Sequence, residues 1–275
     1  MAIPILNSNP FIFPRTGPGI NFLHPASQGL QFSGVARPQG GFVNLLTGGL
    51  GSITGTITGV VDSRIGPSSA NSSGTSYISF ANFPTTAWSQ STMACIMLLT
   101  AINGNTPQRI MDTAAAGSQS LGFDPTGTGA SFGGTVGNTG FALFLAGATY
   151  IPYFFALSFF YNGASSLSAG VLKRLDTGSL LTNSVSTTLS APTAGDGNLY
   201  LMNRGANSRQ LDGYLAAAMF NNTFMPLPQL IKWSQNPWSF WYPNNLDLAD
   251  MLSSAGLPPV SSVPVGILGL ATSEW

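Results

Sequence analysis

Apolar residues in this chain come in short bursts, separated by polar or glycine-rich turns. In residues 75–83, Tyr77 and Ser79 alternate with Ile78 and Phe80, the period-two pattern of a half-buried strand. Residues 92–100 form a nearly continuous apolar run, as expected of a strand covered on both faces. Residues 153–161 are the most hydrophobic of all, and Asn162-Gly163 closes that run as a hairpin-type turn. Shorter strand patterns lie at 29–34, 41–46, 108–112, 120–123, 130–132, 141–146, 167–175, 179–189 and 198–203. Residues 51–61 read as a strand or a loose hairpin. Asn103-Gly104, Gly133-Gly134 and Gly137-Asn138 mark turns. About a dozen short strands, roughly ten residues apart, predict an all-β antiparallel sandwich.

The pattern changes after residue 210. Residues 210–220 read as a strand interrupted by Gly213. Leu227, Leu230 and Ile231 then fall at helical spacing on one face. Pro226 and Pro228 suit a first helical turn, where a missing N–H costs nothing. Asn236 precedes Pro237, which pushes its backbone out of the α region and stops the helix. Trp238, Phe240, Trp241 and Tyr242 follow, too much aromatic surface to leave in water. The unit reads as two strands, one short helix and an aromatic plug against the sheet, with Trp238 and Trp241 also standing as interface candidates.

These segments carry a resemblance. Asn203-Arg-Gly205, Asp212-Gly-Tyr-Leu-Ala216, Leu227-Pro-Gln-Leu-Ile231 and Asn236-Pro-Trp238 with the closing Pro243 look like the end of a concanavalin A-like (laminin-G-like) jelly-roll domain. Residues 66–83, GPSSANSSGTSYISFANF, are similar to that family's early strand. The variants most resembled occur in bacteriophage virion proteins. The resemblance spans roughly residues 21–243. It implies a jelly-roll β-sandwich with one short C-terminal helix. It implies a structural virion role in head decoration, cement, minor capsid or tail, with other virion proteins (major capsid or tail subunits) as partners. The alternative it implies is a carbohydrate-binding receptor-recognition protein, an adhesin, tail fibre or spike that meets surface glycan.

The flanks read as arms. Residues 1–20 carry Pro4, Pro10, Pro14 and Pro18, which forbid helix and favour an extended chain. Ile3, Ile5, Phe11 and Phe13 are apolar there, unlike the residues of a free tail. Residues 244–275 form a second Pro-punctuated arm, with Ile267, Leu268 and Leu270 near its end. Both arms are expected to dock on a neighbour or on their own domain.

Charged residues make up only 7% of the 275, and the net charge is zero. Soluble monomers usually keep their charge away from zero. Much of the surface is therefore expected to face other proteins, including further copies of the chain; a neutral secreted domain is the competing reading. Nine scattered Lys and Arg residues offer no basic stripe for nucleic acid. The longest apolar stretch, 141–161, is broken by Gly147 and Pro152 and falls short of a membrane span. No basic, apolar leader opens the chain, and Cys95 alone can form no internal disulfide. Synthesis in the host cytoplasm and residence in the virion fit these facts.

Catalytic chemistry is sparse by spacing. Glycoside hydrolysis needs two carboxylates about 5–9 Å apart. Glu274 is the only Glu, and the Asp residues are never paired at i, i+2 or i, i+4. The expectation is that the chain is not an enzyme. His24, the only His, reads as a loop histidine, and one His with one Cys leaves no zinc site. By residue type, Asp196, Asn198 and Asp124 are the loop candidates for calcium, but Asp196-Gly-Asn198 also makes a good turn, and the turn is preferred. No cofactor is otherwise expected. Trp88, Trp233, Trp238 and Trp241 are the aromatics considered for sugar binding.

Overall fold

The structure is a computed structural model. It describes residues 18–242 apart from 72–74, 102–107, 115–118, 125–129, 138 and 206–208. The strands are β1 (Leu30–Ala36), β2 (Phe42–Asn44), β3 (Ser52–Thr54), β4 (Thr58–Asp62), β5 (Gly66–Asn71) and β6 (Tyr77–Ala81). Then come β7 (Gln90–Leu99), β8 (Gln108–Asp112), β9 (Gln119–Asp124), β10 (Ala130–Val136) and β11 (Thr139–Gly147). The last are β12 (Pro152–Phe160), β13 (Ser166–Arg174), β14 (Leu180–Thr187), β15 (Asn198–Leu201) and β16 (Gly213–Asn221). One α-helix, α1 (Leu227–Gln235), follows, the single one among the described residues.

Two antiparallel sheets form a sandwich, so the expected all-β fold with one helix near the C-terminus holds. The first sheet has nine strands, ordered β14-β13-β12-β7-β16-β1-β2, with β5 joined to β16 and β4 joined to β5. The second has seven, ordered β11-β10-β9-β8-β15-β6-β3.

Strand parity explains the apolar run in β7. Successive side chains point to opposite faces. Met93, Cys95, Met97 and Leu99 enter the core between the sheets. Ala94, Ile96 and Leu98 enter a second core on the outer face of the first sheet. The most hydrophobic strand, β12, divides in the same way, with Phe155, Leu157 and Phe159 inside and Phe154 and Ala156 outside. A register shift between Leu215 and Ala217 lets β16 change parity and still serve both cores.

The helix and the aromatic plug roof that outer face. Leu230, Trp233, Trp238, Phe240, Trp241 and Tyr242 all belong to the second core. Trp238 and Trp241 are 1% and 0% exposed, so they plug their own sheet and are not outward interface residues. The other expected interface residues, Ile3, Ile5, Phe11, Phe13, Ile267, Leu268 and Leu270, lie outside the described residues.

The sequence pattern missed β5. Its segment, Gly66-Pro-Ser-Ser-Ala-Asn71, has almost no apolar signal. Its polar side chains are buried because the backbone satisfies them. Ser69 Oγ donates to the Gly41 carbonyl at 2.9 Å, and Asn71 Nδ2 donates to the Ser76 and Met202 carbonyls at 3.0 and 3.2 Å.

Candidate functional site

The turn between β11 and β12 crosses from one sheet to the other at the edge of the sandwich. It holds Tyr150, whose φ is +60°. That left-handed backbone is costly for a bulky side chain, so the surroundings must hold it. Two bonds do. The Tyr150 N–H donates to the Leu99 carbonyl at the end of β7, at 2.6 Å. The Tyr150 carbonyl accepts from Arg64 Nη1 at 2.7 Å. The ring is nonetheless 64% exposed. An aromatic side chain fixed in a strained backbone and left in water is unexplained by packing.

Arg64 is itself held in place. It sits in the turn between β4 and β5 and grips Asp62 with two bonds, Nε to Oδ1 at 3.1 Å and Nη2 to Oδ2 at 2.8 Å. Partial burial pushes the Asp62 carboxyl up, but its bonds from Arg64 outweigh this and hold it below the usual carboxylate range.

Beside Tyr150 lies a cavity of about 230 Å³. Ala148 and Ile151, on either side of Tyr150 in the chain, form part of its wall, with Leu172 and Leu181 opposite. Tyr153, Arg174 and Ser179 are the polar residues of its lining. The Tyr153 hydroxyl accepts from the Ala148 N–H at 3.2 Å. On the rim, Arg174 grips Asp176 as Arg64 grips Asp62, with Nε to Oδ1 at 3.0 Å and Nη2 to Oδ2 at 2.7 Å. The Arg174 bonds hold the Asp176 carboxyl below its usual range. Asp176 also attracts Arg64, so the two pairs belong to one cluster. An apolar cup, an exposed aromatic face and paired donors and acceptors can hold a small hydroxylated ring.

The residues singled out from sequence lie elsewhere. Asp196 and Asn198 make a turn: Asp196 Oδ1 accepts from the Asn198 N–H at 3.0 Å, and Asp196 Oδ2 accepts from the Tyr200 hydroxyl at 3.1 Å. Among the described residues no three His, Cys, Asp or Glu side chains converge as a metal site. Asp124 ends β9, and its side chain lies outside what is described. Trp233 is buried, and Trp88 packs half-buried against Phe83 and Phe220. His24 is no simple loop residue. Its Nδ1 accepts from the Ala26 N–H at 3.1 Å, and its ring meets Trp233 edge-on at 4.8 Å.

Sequence reading passed over Tyr150 because it falls inside the apolar stretch 141–161. A signal was present: the aromatic lies between Gly147 and Pro152, the residues that break that stretch. Local spacing also hides pairings across strands. Asp112 lies directly opposite Tyr200 in the β8–β15 pair, and the Tyr200 hydroxyl bonds Asp196.

No protein-family model matches the chain, and no curated protein matches it. Solved structures do match in fold. A mutant of a protein named HCR/D superimposes with a TM-score of 0.53 at 10% identity, over 77% of this chain and 52% of that one. The enzymatically active domain of tailspike protein 2 from bacteriophage CBA120 gives 0.50 at 14% identity, over 68% of this chain and 30% of that one. Domain 4 of an extracellular arabinanase from Geobacillus stearothermophilus gives 0.48 at 14% identity, over 74% of this chain and 98% of that one. The chain therefore spans only about half or less of the first two proteins. Arabinofuranosidases and a Trypanosoma rangeli sialidase also match. The first two likenesses bear on the fold alone and agree with the β-sandwich. The matches together correct the expectation that the chain is not an enzyme. Its structural neighbours are mostly glycoside hydrolases, together with an enzymatically active tailspike domain, and spacing along the chain says nothing of carboxylates on different strands.

Proposed function

We propose that this chain is a carbohydrate-recognising domain of a bacteriophage particle, acting at the tail where the particle meets its host. The observation that carries this reading is Tyr150: an exposed ring held in a left-handed backbone by Arg64 and Leu99, next in the chain to Ile151 of a cavity that Arg174 also lines. Tyrosine supplies a rigid, amphipathic contact face at low entropic cost. The phage setting is supported by the resemblance of residues 66–83 and 198–243 to phage virion jelly rolls. It is supported again by the fold shared with a CBA120 tailspike domain.

A glycan array probed with the whole protein and with Tyr150→Ala tests this. Binding that Tyr150→Ala abolishes, without loss of folding, is the expected result. No glycan retained by the wild type, or retention unchanged in the variant, overturns the reading. Analysing the bound glycan for cleavage products afterwards separates recognition from turnover.

A second reading, a structural virion subunit acting through its arms, has an observation of its own. The Gly19 and Asn21 N–H groups donate to the Trp241 and Phe240 carbonyls at 2.8 and 2.9 Å. The points where both arms begin are therefore side by side, and a single neighbour can meet both. Loss of incorporation into particles on deleting either arm is the expected result under this reading.

A further inference from the structure

Resting on the reading of the Tyr150 rim as a carbohydrate site, we infer that its ligand is the terminal ring of a neutral glycan, and that the Arg–Asp pairs select against acidic sugars. The guanidinium of Arg174 lines the cavity and that of Arg64 is held at the Tyr150 carbonyl, and on their own both would favour a carboxylate or sulfate. Each is already gripped at two points by a carboxylate of this chain, at 2.8 and 3.1 Å for Arg64 with Asp62 and at 2.7 and 3.0 Å for Arg174 with Asp176. A third donor of Arg64, Nη1, is engaged by the Tyr150 carbonyl. The charge of both guanidinium groups is thereby offset, and an incoming acid would bring its own negative charge beside Asp62 or Asp176. A neutral ring meets no such repulsion.

The same pairs offer what hydroxyl groups need. Asp176 Oδ1 accepts from Arg174 Nε and from the Thr177 N–H, whereas Oδ2 accepts from Arg174 Nη2. A carboxylate has about four acceptor positions. Asp176 therefore keeps room for a sugar O–H, and its side chain is 32% exposed to receive one. The cavity of about 230 Å³ is smaller than the roughly 300–1,000 Å³ of sites that enclose drug-sized ligands. One ring enters it, and the following ring lies against Tyr150.

The test uses the full chain and matched oligosaccharides: neutral gluco-, galacto- and arabino-oligosaccharides against oligogalacturonate and sialylated oligosaccharides, with affinities read by calorimetry. The wild type is expected to prefer the neutral set by about tenfold or more. Asp176→Asn, which frees the Arg174 fork, is expected to move the neutral-to-acidic ratio by about tenfold toward acids. The double variant Arg174→Gln, Asp176→Asn restores charge balance and is expected to keep the wild-type preference. Circular dichroism confirms that each variant is folded. A wild type that prefers acidic glycans, or a ratio unmoved by Asp176→Asn, overturns the inference and leaves the carbohydrate reading standing. A wild type that binds neither set overturns both.

Discussion

Gly19 and Trp241 are joined backbone to backbone, the N–H of Gly19 donating to the carbonyl of Trp241 at 2.8 Å. One end of the described chain is thus tied to the aromatic plug at the other. Trp241 is fully buried against the outer face of the first sheet. Replacing it by alanine is expected to cost about 3–5 kcal/mol, a large share of the roughly 5–15 kcal/mol that holds a domain together. Urea unfolding measures the loss. Hydrogen exchange is expected to show protection falling first at Gly19 and Asn21. A Trp241→Ala protein that unfolds like the wild type would refute this.

His24 makes stability depend on mild acid. Burial, with Lys232 acting in the same direction, pushes its imidazole from the ordinary 6.5 down to about 3. The folded protein therefore stays unprotonated where the unfolded chain takes up a proton. The stabilising contribution is complete above pH 6.5, declines as pH falls and levels off below about 3. His24 is half-buried, so about 2 kcal/mol between pH 7 and pH 5 is a ceiling. His24 is the only histidine, so His24→Phe is expected to flatten the profile over that interval. Urea midpoints at the two pH values decide it.

Stability and binding are expected to oppose each other at Tyr150. Its φ of +60° suits glycine far better than tyrosine. Tyr150→Gly removes a strain of order 1 kcal/mol and deletes the exposed ring. The expected outcome is a denaturation midpoint equal to or above the wild type, with glycan binding lost. Tyr150→Phe keeps the ring and is expected to keep most of the binding.

Gly213 is required by close approach. It pairs with Leu99, and a Cβ added there would collide with the Leu98 carbonyl oxygen. The neighbour is backbone in the middle of the first sheet and cannot swing aside. Gly213→Ala is expected to destabilise by about 1–3 kcal/mol. A thermal melt within a degree of the wild type would contradict it.

The strands were legible because burial follows parity. The runs at 92–100 and 153–161 announced strands covered on both faces, and β7 and β12 are covered on both faces. The helix was legible from Pro228, Leu230 and Asn236, which set its start, face and end. What stayed hidden depended on distance along the chain. Residues 66–71 carry serines and an asparagine whose partners, Gly41 and Met202, are far away in sequence. The candidate site joins Arg64, Leu99, Tyr150 and Arg174, which no local spacing relates. Trp238 and Trp241 show the remaining ambiguity. The sequence marks them as needing cover, and only the fold tells whether that cover is the chain itself.

Cys95 sits at the middle of β7, with β12 on one side and β16 on the other, and none of it is exposed. Burial also pushes its thiol well above the ordinary range, so reagents that need a thiolate find none in the native state. The chain thus carries a built-in clock. The thiol can be labelled only in molecules whose central strand has come free of both neighbours, and fraying at the sheet edges leaves it silent. The rate of labelling counts whole-domain opening events in the unmodified protein, with no introduced probe.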